Sequence, residues 1–398
     1  MTKPGFGATI GALATGQLLT WAALFYGFSS FVLSMQREAE WSRPEVMGAF
    51  TLGLAISGLA TYAVGAAIDH GHGRAVLVLG AALGGLGFIG WSFASSLGAL
   101  YASWAVIGVA MAMTLYDPVF SEVTRRFPDR YRQAITTLTL VGGLASTLSF
   151  PSAAWLIGRF GWRGALLAIG VFLIVVVAPL HGWALSGAPP PKVTGAQRAV
   201  LPGTRIGEAM RGPAFWLLTL AFTCHAFVAA ALWAHVIPAF AEKGLDEARS
   251  LAVVVWFGPA QIAGRLAFVA FGSRLTPRQL GIAVLAGVPV AFTLFAFANG
   301  FAGLVAFAVL FGISNGLTTI VRGHIVPSFF GAREVGRISG AMSSITLFAR
   351  AAAPLGAAWL LLTLHSYRGV GLALAAVGVV ATLSFWAARS RPRRAEAI

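Results

Sequence analysis

Long apolar runs separated by short polar or charged turns set the pattern of this chain. No Asp, Glu, Lys or Arg occurs in 4–36, 46–68, 75–116, 133–158, 164–191, 212–241, 279–321 or 369–388. About 20 apolar residues cross a bilayer as a helix, so each interval holds one span and the two longest hold two. Polar turns at Ser95-Ser96-Leu97-Gly98 and Ala298-Asn299-Gly300 divide those two. The eighth and eleventh spans are apolar stretches interrupted by Arg265 and Arg350. The pattern therefore predicts an all-α, polytopic membrane protein of twelve transmembrane helices. A span must satisfy its own backbone in lipid, and runs of this length suit helices rather than barrel strands.

Composition agrees. Of 398 residues, 58% are hydrophobic and 10% charged, against about 25% charged in soluble domains, which argues against a water-soluble enzyme. No Walker loop, dinucleotide fingerprint or nucleophile elbow occurs, so neither ATP-driven transport nor catalysis is expected, and no cofactor is called for. A net charge of +15 would point to nucleic acid in a soluble protein. Here its placement matters more, because cytoplasmic loops retain Lys and Arg. With both termini cytoplasmic, eighteen of the 28 cations fall on the inner side, among them Arg74, Arg125, Arg126, Arg130 and Arg132. Seven fall outside, and Arg265, Arg322 and Arg350 lie within spans. The expectation is a monomeric, multi-pass inner-membrane protein with no nucleic-acid partner. The first apolar stretch is too long for a cleavable signal and would itself direct insertion. Cys224 is the only cysteine, which excludes an intrachain disulfide and a cysteine metal cluster.

The second half repeats the first. Gly108 and Gly312, Arg132 and Arg337, Pro151 and Pro354, Trp155 and Trp359, and Arg163-Gly164 and Arg368-Gly369 recur at separations near 204. Such symmetry implies two parallel six-helix halves, at 1–186 and 212–398. They are joined by a basic loop over 187–211 with Pro189-Pro190-Pro191, Lys192, Arg198, Arg205 and Arg211.

Several local patterns carry a family likeness. After the second span comes Gly65-Ala66-Ala67-Ile68-Asp69-His70-Gly71-His72-Gly73-Arg74, and the first span ends in Tyr26-Gly27-Phe28 before Glu40-Trp41-Ser42-Arg43-Pro44-Glu45. Together with the repeat, these resemble the major facilitator superfamily of secondary transporters, nearest its monocarboxylate transporter and oxalate/formate antiporter branch. The resemblance implies an inner-loop latch at Asp69 and Arg74, although His70 stands at the first basic position and the glycine is displaced. Trp104 precedes Gly108 where many drug exporters of the superfamily carry Arg. Phe150-Pro151 with Gly161-Trp162-Arg163 only partly matches the exporters' fifth-span pattern.

Charges at bilayer depth are costly and usually serve function. Gln261 and Arg265 share a helix face by their i, i+4 spacing. Monocarboxylate transporters carry Asp and Arg there, so the resemblance implies a carboxylate ligand at Arg265 without the family's acid. The other reading is an Arg bonded to carbonyls where the halves meet. Arg350 stands where oxalate/formate antiporters carry Lys, and its planar fork suits an oxyanion; the alternative is an internal salt bridge. Asp117 and Arg322 lie 205 apart and could pair as an inner gate or exchange protons, or Asp117 could pair with Arg125, Arg126 or Arg132. His225 could carry a coupling proton or serve as a satisfied hydrogen-bonding residue. His235 and His324 also lie in spans, and no histidine pair has metal-ligand spacing. Tyr26, Tyr116, Trp233 and Asn315 are wall residues of the first, fourth, seventh and tenth spans. The reading is a secondary transporter of a small anion, a mono- or dicarboxylate, working by alternating access as proton symporter or anion exchanger. An exporter of drugs or of a toxic oxyanion is the rival. A non-transporting receptor-like bundle would have no use for the buried charges, and a channel would need a filter or a charged ring.

Overall fold

The computed structural model describes residues 4–39, 41–187 and 203–389. Among them no strand occurs, and eleven helical stretches are long and apolar enough to cross a membrane. One, Tyr131–Ala184, runs for 54 residues. At about 1.5 Å per residue that is more than twice a bilayer core. It breaks at Gly161, which has φ 67° and ψ 170°, so this glycine separates two spans. Twelve follow: α1 (Phe6–Val32), α2 (Arg43–Asp69), α3 (Gly73–Ser92), α4 (Leu97–Arg126), α5 (131–160), α6 (162–184), α7 (Pro213–Glu242), α8 (Ala248–Phe271), α9 (Pro277–Phe297), α10 (Gly300–Phe330), α11 (Val335–Leu364) and α12 (Tyr367–Ala387). The twelve-helix expectation holds.

Helix starts are written locally. Ser42 opens α2 with a reciprocal cap to Glu45 and a proline in the first turn, and Thr276, Gln279 and Pro277 do the same for α9. Of the loop expected at 187–211, the stretch 188–202, with its three prolines, Lys192 and Arg198, lies outside the described residues. Its last part, Ile206–Arg211, is a short helix rather than loop.

The chain divides into two compact units. Unit 1 is Met1–Gly203 with Ala332–Ser344, and unit 2 is Thr204–Gly331 with Ile345–Ile398. The start of α11 therefore groups with unit 1, where the expected halves place it in the second. The reason is local bonding. Asp69, at the end of α2, accepts from the backbone N–H of Gly336 at 3.1 Å and of Arg337 at 2.9 Å. Ser344 Oγ donates to Gly58 O. A Cβ at Gly65 would lie 2.1 Å from the Gly336 carbonyl oxygen, so glycine is what lets the two backbones meet.

Each unit has its own aromatic core. Unit 1 packs Phe28, Phe31, Phe88, Trp91 and Trp104, with Trp104 edge-on to Phe28 and Trp91. Unit 2 packs Phe240, Phe257, Phe292, Phe307 and Phe311.

The repeat extends to the ends of helices. In unit 1, Arg163 donates to Ser92 O and Ala94 O at the end of α3, and also to Glu38, which accepts from Trp162 as well. In unit 2, Lys243 donates to Ala296 O and Ala298 O at the end of α9, and Glu242 accepts from the Tyr367 N–H. A cation thus satisfies the orphan carbonyls of one helix end in each unit. The Arg163 and Trp162 hydrogen bonds hold the Glu38 carboxyl below the usual carboxylate range.

Candidate functional site

In unit 2, two of the residues singled out from sequence come together. His225, 6% exposed at mid-α7, has its Nε2 3.3 Å from Asn315 Oδ1 on α10. A carbonyl oxygen only accepts, so Nε2 is the donor of this hydrogen bond. Arg350 of α11 is exposed on the same unit. One turn before Arg350, Thr346 Oγ1 lies 3.4 Å from Thr223 Oγ1, so the two hydroxyls tie α11 to α7 beside His225. Sequence reasoning passed over this threonine pair, because single threonines in helices usually bond back to their own backbone.

Arg265 stands differently. It is 6% exposed, and its Nε donates to Gly316 O on α10 at 3.2 Å. Gln261 packs its Cα and Cβ against the same glycine. Arg322 is half-buried on α10, and His324 below it is buried, its ring 5.9 Å from that of Phe268. His235, toward the end of α7, donates from Nε2 to Pro354 O at 3.0 Å and pairs through Nδ1 with Tyr367 Oη at 3.1 Å. It thereby joins α7, α11 and α12. Trp233 is 44% exposed with its ring against Phe257, and Cys224 is a half-buried free thiol.

In unit 1, Tyr26 and Tyr116 meet through Trp21, with ring centroids 6.2 and 4.8 Å from it. Trp21–Tyr26 is a π-helical stretch within α1, a distortion common at functional sites. Opposite it, α4 is interrupted at Leu115, which is extended. Pro118 lacks the N–H that would bond Thr114 O, and that carbonyl accepts from buried Gln17 Nε2 at 2.6 Å instead. Asp117, just past the break, accepts from Ser343 Oγ at 2.6 Å. A fourth span histidine, His181 of α6, is fully buried against Gly16, with Nδ1 3.2 Å from Leu77 O.

The latch residues separate. Asp69 is 3% exposed and has Arg125 Nη1 at 3.7 Å, whereas Arg74 is exposed in the first turn of α3 and bonds to no described residue. The cation beside Asp69 is thus Arg125, set by α4, rather than the nearer residue in sequence. Among the described residues no group of His, Cys, Asp and Glu could hold a metal ion.

Residues 13–298 match the model of a family described as the Major Facilitator Superfamily. Monocarboxylate transporter 13 of Bos taurus is 28% identical over 328 residues, which is 79% of this chain and 74% of that protein. Its counterpart in Rattus norvegicus is 26% identical over 331 residues, 81% of this chain and 73% of that one. Among solved structures, the E. coli fucose:proton symporter FucP superposes with a TM-score of 0.76 at 12% identity, covering 94% of this chain and 97% of its own. The human organic anion transporter MFSD10 does so at 0.74 and 14%, covering 96% and 100%. At these identities the structural likeness concerns the fold.

Proposed function

This chain belongs to the Major Facilitator Superfamily, and from that premise we propose that it carries a small anion, a mono- or dicarboxylate, across the membrane by proton symport or anion exchange. It is a multi-pass membrane transporter of a small molecule and not an enzyme, and two relatives that align with about four fifths of it are named monocarboxylate transporters. The observation that carries the anion reading is the exposed Arg350 of α11, one turn beyond the Thr346 hydroxyl that meets Thr223 two residues before His225, the partner of Asn315.

A cation at bilayer depth is costly and usually serves function, and a carboxylate is a ligand complementary to it. The guanidinium fork accepts a carboxylate bidentately. Asn315 and the imidazole of His225 offer a directional polar wall without a negative charge to repel the anion. Arg265 adds positive charge on the same unit. In unit 1, Tyr26 and Tyr116 are proposed as aromatic wall residues and Asp117 as a gating or proton-exchanging acid, and in unit 2 Arg322 is proposed for gating. Asp69 is proposed as the latch acid. The excess of Arg and Lys in one set of loops supports an inner membrane with both termini in the cytoplasm.

Counterflow into proteoliposomes tests this. Vesicles loaded with unlabelled lactate, pyruvate, acetate, oxalate or succinate should accumulate the matching radiolabelled acid, and Arg350→Ala should abolish the exchange. Accumulation of cationic or neutral amphipaths alone, or of inorganic oxyanions alone, would replace the carboxylate reading with one of the exporter readings.

A further inference from the structure

Arg265 occupies the position expected of a substrate ligand, and its surroundings give it a second task. It is buried, and its one hydrogen bond to a described residue runs from Nε to the backbone carbonyl of Gly316. Around that bond α8 and α10 touch backbone to backbone. A Cβ at Gly316 would fall 2.8 Å from Gln261 Cα, one at Gly312 would fall 2.9 Å from Phe257 O, and one at Gly264 would fall 3.2 Å from Ile313 Cα. Three glycines bring the helices together, and smooth glycine contacts leave rotation and sliding weakly specified. A directional bond from a fixed guanidinium removes that freedom.

The bond lands at a telling place. Gly316 follows Asn315 directly, and successive helical residues are turned by about 100°. Gly316 faces α8 while Asn315 reaches His225 on α7 at 3.3 Å. We infer that Arg265 is a positioning residue: by holding the Gly316 carbonyl it fixes the turn of α10 against α8, aims Asn315 at His225, and so sets the tautomer of the imidazole. The bond uses Nε alone, so this task is compatible with an anion on the two Nη groups. This rests on the reading of Arg350 and His225 as the anion-contacting cluster, but its test needs no anion.

The ring nitrogens of His225 can be followed by solid-state NMR on the full-length protein in lipid with labelled histidine, the signal being assigned by its loss in His225→Gln. The wild type should show a neutral ring protonated at Nε2. Asn315→Ala should shift that signature, and Arg265→Gln should shift it in the same direction although it touches neither ring. Arg265→Lys should keep the wild-type signal, because an ammonium can make the same single bond to Gly316 O. An unchanged His225 signal in Asn315→Ala or in Arg265→Gln overturns the inference. Where Arg265→Gln does not yield folded protein, Arg265→Lys decides alone: a signal moved to the Asn315→Ala position overturns it. Failure of the transport reading is seen separately, as anion affinity that survives in Arg350→Ala.

Discussion

Asp69 Oδ2 accepts the backbone N–H of Arg337 at 2.9 Å, across 268 residues of sequence. With Gly336 N–H on its other oxygen and Arg125 3.7 Å away, this buried carboxylate caps the start of α11, where the helix dipole favours negative charge. Asp69→Ala leaves two N–H groups without their acceptor and removes the carboxylate 3.7 Å from the buried guanidinium of Arg125. It should cost about 3–5 kcal/mol by the usual penalty for breaking a buried pair, read as a fall in the thermal midpoint of purified protein. An unchanged midpoint would show that the contact adds nothing.

Gly65 makes a sharper steric prediction. Its would-be Cβ sits 2.1 Å from the Gly336 carbonyl oxygen, a backbone atom with no rotamer to yield. Gly65→Ala should therefore destabilise by about 1–3 kcal/mol, the range of overpacked interiors. Gly5→Ala, where a Cβ meets nothing within 4 Å, should be near neutral and serves as the control.

At the anion cluster, Arg350→Lys keeps the charge but loses the planar fork. It should weaken carboxylate affinity about tenfold, as loss of a charged hydrogen bond does, with folded yield unchanged. Isothermal titration of the two proteins against the same acid gives the ratio, and equal affinities would remove Arg350 from the site.

His225→Gln tests proton coupling. A glutamine can still bond Asn315 but cannot take a proton. Substrate exchange should persist while accumulation driven by a pH gradient is lost; accumulation identical to wild type would free His225 of the proton.

Glu38 sets a pH dependence. Hydrogen bonds from Arg163 and Trp162 hold its carboxyl below the unfolded value, which lies near about 4.3. Its stabilisation is therefore complete above the unfolded pKa and is lost as pH falls through the folded one. Both side chains are partly exposed, so the effect is small. On acidification from about pH 6 to about pH 3, the thermal midpoint of the wild type should fall further than that of Glu38→Gln. Parallel falls would show that the pair carries none of the dependence.

Much of the fold was legible because lipid enforces it: apolar length gave the spans, and the 204-residue spacing of Trp155 and Trp359 gave the repeat. The same spacing joins Glu38 to Glu242, a signal present in the sequence that identifies the two helix-end clusters once their partners are known. Gly161 was written as part of a motif, yet its positive φ is what separates α5 from α6. The site was less legible, since sequence spacing ranks cations without showing what they touch. Arg265 and Arg350 look alike in a string, but one is buried on the Gly316 carbonyl and the other is exposed. Arg74 lies close to Asp69 in sequence, whereas Arg125 is close in space because α4 brings it there.

The most direct measurement is a thermal-shift titration of detergent-purified protein with mono- and dicarboxylates, in wild type and in Arg350→Ala. Binding to the native state should raise stability by about 2.7 kcal/mol at a hundredfold excess over Kd. The account predicts a concentration-dependent rise with at least one carboxylate that disappears in Arg350→Ala. A rise that survives in the variant, or one given only by cationic or neutral amphipaths, would contradict it.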